Sequence, residues 1–168
     1  DGELLEREHG DRRRRRDGQR DRHDDEPAEE RHGGADGEHT DIDVEVYANI
    51  ARGMYGTGPV PMIRVRENDT LVIRQALDIG DMGVIVPLVS TAQEARKAVS
   101  AAKYPPQGER GFCFSRMNNY GDNFTSYLQT ANDDIAVVVM IESKEAIANI
   151  DEILAVDGVD GVFIGPYD

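Results

Sequence analysis

The stretch from Ile135 to Asp168 constrains this chain most, because it reads as strand, helix, strand with an acid at the end of each strand. Ile135 to Ile141 is a continuous run of mostly β-branched apolar residues, as expected of a strand buried on both faces. It ends in Glu142. Ser143 suits a helix N-cap, and Ala146, Ile147, Ile150, Ile153 and Leu154 recur at three- and four-residue spacing, which predicts an amphipathic helix. Gly158 stops that helix, and Val159 to Ile164 forms the next apolar run, leading into Gly165, Pro166, Tyr167 and Asp168. Parallel strands joined by a right-handed crossover present their C-terminal ends on one rim. Glu142 and Asp168 are therefore expected to face the same space. Two such carboxylates are a common way of holding a hard divalent cation, and an acid after a strand is also a common helix cap or solvated loop residue.

Upstream, the same alternation repeats. A helix is predicted over Val44 to Tyr55, followed by the turn-rich Gly56 to Pro61 and a short strand at Met62 to Val65. Glu67-Asn68-Asp69 begins a helix to Ile79, Val84 to Val89 is a buried strand, and Ser90 and Thr91 cap a helix to Lys103. Tyr104-Pro105-Pro106-Gln107-Gly108 ends that helix, and Asn123 to Thr130 reads as a further short one. Strands alternating with helices indicate an α/β fold with a parallel sheet. No glycine-rich phosphate fingerprint follows a strand, which argues against dinucleotide binding.

Residues 1–34 differ in kind. They hold the run Arg12 to Arg16 and acids such as Asp24 to Glu26, with almost nothing apolar after Leu5. Such a segment cannot bury enough surface to offset its ordering entropy and is expected to be a disordered charged tail. An arginine run can mark a nucleic-acid patch, but the interleaved acids nearly cancel it here. The predicted division is therefore a tail over 1–34 and one domain over 35–168. The net charge of -14 argues against nucleic acid or an anionic membrane as partner. No apolar run approaches the roughly 20 residues that span a bilayer. The single cysteine, Cys113, excludes an internal disulfide framework and fits a reducing cytoplasm.

Two residues stand out chemically. Arg64 sits in an otherwise apolar strand, where a lone charge is costly unless paired. Its guanidinium fork suits a substrate carboxylate, and equally suits a structural ion pair with a neighbouring acid. His39 is the only histidine in the predicted domain and stands beside Asp36 and Glu38, carboxylates able to orient the ring of a general base. A solvated loop histidine has the same surroundings.

Asp36-Gly37-Glu38-His39 resembles the D-x-E-H signature of the HpcH/HpaI aldolases, the metal-dependent class II pyruvate aldolases, and Pro61-Met62-Ile63-Arg64-Val65 resembles their P-x-x-R-V strand. Met82 to Pro87, Tyr104 to Gly111, Met140-Ile141-Glu142 and Gly161 to Asp168 are similar to further landmarks in the same order. The resemblance covers about residues 35–168. It implies a (β/α)₈ TIM barrel with its site at the C-terminal rim and a homo-hexameric full-length relative. It further implies Glu142 and Asp168 as ligands of a magnesium, manganese or cobalt ion, and Arg64 as the group binding the pyruvate carboxylate. His39 with Asp36 would be the catalytic base, while Gly165, Pro166 and the backbone near Tyr167 would line the pyruvate site. The implied reaction is retro-aldol cleavage of a 4-hydroxy-2-oxo acid to pyruvate and an aldehyde. A citrate-lyase-like or malyl-CoA-lyase-like enzyme and an inactive remnant are the alternatives. Against this pattern, the charged tract stands where the first strand, first helix and most of the second strand are expected, and the chain stops just after the expected sixth strand. About five of eight strands are expected, too few to close a barrel.

Overall fold

A computed structural model describes residues 32–38 and 43–166. Five parallel strands form one sheet in sequential order: β1 (His32–Asp36), β2 (Val60–Arg64), β3 (Gly83–Val86), β4 (Ala136–Ile141) and β5 (Gly161–Ile164). The helices α1 (Val44–Met54), α2 (Thr70–Ile79), α3 (Ala92–Ala102), α4 (Phe124–Asp134), α5 (Lys144–Ala148) and α6 (Ile150–Leu154) lie between them. This sequential, all-parallel strand–helix order is α/β architecture of the partial (β/α) barrel type. The four strands expected from apolar runs are parallel and adjacent in order.

Period-two alternation divides the sheet into two faces. Ile63, Val84, Val86, Val137, Val139 and Ile141 point to the helices and, with Ile73, Leu77, Ala95, Ala98 and Ile153, make the buried core. The opposite face follows the register Asp36↔Arg64↔Ile85↔Val138↔Gly161 and carries the polar residues of the rim.

Local capping chemistry sets most helix ends. Asp69 accepts from Leu71 N and Val72 N at the start of α2, and Gly80 ends it in the left-handed region at φ 119°. Thr91 and Glu94 form a capping box on α3, and Ser143 caps α5 through Ala146 N.

The structure departs from the sequence-based expectation at two places. His32–Asp36, assigned to the tail and a polar loop, is the edge strand β1. His-Gly-Gly-Ala-Asp carries no apolar alternation, so its strand comes from the ladder offered by β2 over five register pairs. The reading of the first 31 residues as a disordered tail lies outside the described residues. The single helix expected after Glu142 is two short ones, broken at Asn149 (φ -100°, ψ 9°), whose side chain reaches the turn after β3.

Candidate active site

The rim at the C-terminal ends of the strands is built around Arg64, the last residue of β2. Its register partner on β1 is Asp36. The guanidinium Nε donates to Asp36 Oδ1 at 2.8 Å and Nη2 donates to Oδ2, while Nη1 lies 3.0 Å from Glu38 Oε2. Arg64 is thus charge-paired from two sides. The hydrogen bonding it donates to Asp36 is the main reason its affinity for its proton rises above the ordinary guanidinium value, partly opposed by burial. Among the described residues two of the five guanidinium N–H donors are hydrogen-bonded, both to Asp36, and Nη1 meets Glu38 as an ion pair only. Of the two expectations for Arg64, the structural ion pair is present.

Gly37 lets the Asp-Gly-Glu turn form. Its amide donates to Arg64 O at 2.9 Å, and a Cβ there would run into the Tyr47 hydroxyl and stand 2.8 Å from Arg64 O. Glu38 N closes the turn by donating to Asp36 Oδ1 at 3.0 Å. Tyr47, from α1, is 8% exposed beside this turn, and burial is the first cause that pushes its hydroxyl up, with Asp36 second.

Glu142 stands at the C-terminal end of β4, 8% exposed, and its Oε2 accepts from Leu88 N at 2.7 Å. Its charge contributes to the field that holds Arg64 protonated, which places the two groups within electrostatic reach on the same rim. The end of β5 is tied alongside by Gly165 N donating to Ile141 O at 3.1 Å, so Gly165 and Pro166 border Glu142's strand. A nearly buried carboxylate with one oxygen held by a main-chain donor is the oxygen-donor chemistry that suits a hard divalent cation. Among the described residues no group of three or more His, Cys, Asp or Glu could hold a metal ion. The expected second ligand Asp168, the expected base His39 and Tyr167 lie outside the described residues.

The structure thus brings together Arg64, Asp36 and Glu142, with Gly165 beside them. Sequence reasoning gave Glu38 a part only in orienting His39, not in pairing with Arg64, and assigned no role to the Leu88 amide. Glu38 was visible as the third residue of the D-x-E-H stretch, whereas nothing local marks Leu88.

Residues 31–168 match the model of the HpcH/HpaI aldolase/citrate lyase family. The chain is 44% identical over 134 residues to a 2-dehydro-3,6-dideoxy-6-sulfogluconate aldolase of Pseudomonas putida, covering 79% of this chain and 52% of that protein. It is 37% identical over 133 residues to a 5-keto-4-deoxy-D-glucarate aldolase of Shigella sonnei (strain Ss046), with 79% of this chain and 52% of that protein covered. The chain spans about half the length of the curated relatives it matches. Among solved structures, an HpcH/HpaI aldolase/citrate lyase family protein from Burkholderia cenocepacia J2315 superposes with TM-score 0.75 at 31% identity, over 79% of this chain and 54% of that one. With the family model covering the whole described sheet, this chain belongs to the HpcH/HpaI aldolase/citrate lyase family.

Proposed function

We infer that the protein is a metal-dependent pyruvate aldolase that cleaves a 4-hydroxy-2-oxo acid into pyruvate and an aldehyde. The observation that carries this reading is Arg64, paired with Asp36 and Glu38 yet retaining N–H donors beyond the two that Asp36 takes, on the same rim as Glu142. Aldolases among the relatives at 37% and 44% identity favour it over a thioester-handling, citrate-lyase-like reaction.

In this reading Arg64 takes the substrate carboxylate on its remaining donors, and Asp36 and Glu38 hold the guanidinium in place. His39, oriented by Asp36, accepts the proton of the C4 hydroxyl directly or through a water. The electrons of the C3–C4 bond move to C3 and the 2-oxo group as the aldehyde leaves, and protonation at C3 then gives pyruvate. The positive charge of Arg64 opposes the negative charge that develops during cleavage. Glu142 and Asp168 would hold a magnesium, manganese or cobalt ion, which supplies Lewis acidity toward the 2-oxo acid. Gly165, Pro166 and Tyr167 would line the pyruvate side. The fit of Glu142 to a hard cation supports this assignment.

The reading extends to a cytoplasmic protein that works as a homo-oligomer. The free Cys113 supports the first point, and exposed apolar side chains such as Phe114 and Ile164 support contact between copies. No helix among the described residues is long and apolar enough to cross a membrane.

The test is pyruvate release from a 4-hydroxy-2-oxo acid with manganese present, measured by coupled lactate dehydrogenase. Metal-dependent release that is lost in Glu142→Gln is expected. Absence of release across sugar-acid and aromatic-derived substrates would overturn the reading.

A further inference from the structure

Leu88 follows β3 with φ 57°, in the left-handed region that a leucine rarely adopts, and its side chain is 65% exposed. The conformation is costly for a residue with a Cβ, and the side chain gains no burial in return. What the conformation does achieve lies in the main chain. It turns the Leu88 N–H across to β4, where it donates to Glu142 Oε2 at 2.7 Å. Strained backbone that persists without a packing reason is a pointer to function.

The turn is fixed by contacts on either side. Ser90 N and Thr91 N donate to Glu94 Oε2 at 2.8 and 3.0 Å, which ties the turn to α3. Ser90 Oγ lies 2.9 Å from Ser143 Oγ, on the loop that follows Glu142. Asn149 Nδ2 donates to Ser90 O at 2.9 Å from the break between α5 and α6. The turn after β3 and the turn after β4 are therefore clamped to one another, and the Leu88 amide is held where Glu142 reaches it.

The geometry points to Leu88 as a positioning residue whose main-chain N–H orients the Glu142 carboxylate for a divalent cation. The inference rests on the reading of Glu142 as a metal ligand. A main-chain donor on Oε2 removes the freedom of the carboxylate to rotate, so less order remains to be imposed when a cation binds. Hydrogen bonds to ligating carboxylates act in this way, and their loss typically weakens metal affinity by about 10- to 100-fold. The side chain of Leu88 has no part in this, so the function belongs to the amide alone.

The experiment replaces Leu88 in the full chain with its α-hydroxy analogue, which puts an ester oxygen where the N–H was and leaves the side chain unchanged. Manganese affinity is measured by calorimetry beside Leu88→Gly, which keeps the amide and accepts a positive φ, and Glu142→Gln. A loss of about tenfold or more in the ester, near-native affinity in Leu88→Gly and lost binding in Glu142→Gln is the expected pattern. Native affinity in the ester with lost binding in Glu142→Gln would remove Leu88 and leave the ligand assignment standing. Native affinity in Glu142→Gln would remove both. Should the ester protein fail to fold, the unsubstituted protein still decides the matter. Its Leu88 amide proton resonance should move on magnesium addition and shift in Glu142→Gln, and a resonance indifferent to both overturns the proposal.

Discussion

Asp36 and Arg64 face one another as register partners on the first two strands, and both carboxylate oxygens of Asp36 accept from the guanidinium. The pairing depends on the planar fork, since Nε and Nη2 must reach two oxygens at once. Arg64→Lys keeps the charge and loses that geometry. In the proposed aldolase it should raise KM for the 2-oxo acid and lower kcat, a combined loss of about 1.5 to 3 kcal/mol in transition-state binding. Steady-state kinetics check this, and unchanged kinetics would leave Arg64 with its structural ion pair alone.

Arg110 supplies a second ion pair, this one structural. Its side chain is fully buried, its Nη2 donates to Asp78 Oδ1 at 2.6 Å, and its guanidinium lies 4.7 Å from the centre of the Tyr104 ring. Arg110→Met leaves Asp78 without its charge partner, a change that costs about 3 to 5 kcal/mol when the remaining acid is buried. Asp78 is 20% exposed, so the lower end is expected. Urea unfolding should show the midpoint falling with little change in slope.

Asp81 gives stability a pH dependence. It is 5% exposed, and burial pushes its carboxyl up to about 7. The unfolded value is about 3.9. Between those values the folded state binds more protons than the unfolded one, so this residue lowers stability as pH rises from about 4 to about 7. Above that window its full penalty is present; below it the penalty is gone. Asp81→Asn should therefore stabilise the protein at about pH 8, by at most roughly 4 kcal/mol, and flatten the slope through that window. Denaturant melts at several pH values measure both. Equal slopes in the two proteins would contradict the assignment.

Gly108 closes the turn after α3 where no side chain fits. A Cβ would collide with Lys103 O and stand 2.6 Å from Ser100 O, both main-chain atoms that cannot swing aside. Gly108→Ala should destabilise by about 1 to 3 kcal/mol, seen as a lower thermal midpoint by circular dichroism.

Much of the framework is decided locally. The β-branched runs around Val84 to Val86 and Ala136 to Ile141 specify buried strands, and the capping residues Asp69, Thr91 and Ser143 specify where α2, α3 and α5 begin. These signals act over a few residues, through side-chain period and caps, and so are legible without the fold. The position of Arg64 at a strand end belongs to the same class. Tertiary structure alone decides which groups meet. β1 has no apolar pattern and exists because β2 offers its free edge; Arg64 finds Asp36 across 28 residues; Glu142 receives the Leu88 amide across 54. Even the break at Asn149 is explained only by Ser90 on another element. The physical reason is that local propensity sets the direction of a chain segment, whereas a hydrogen bond or ion pair between strands depends on register, and register exists only once the sheet has formed.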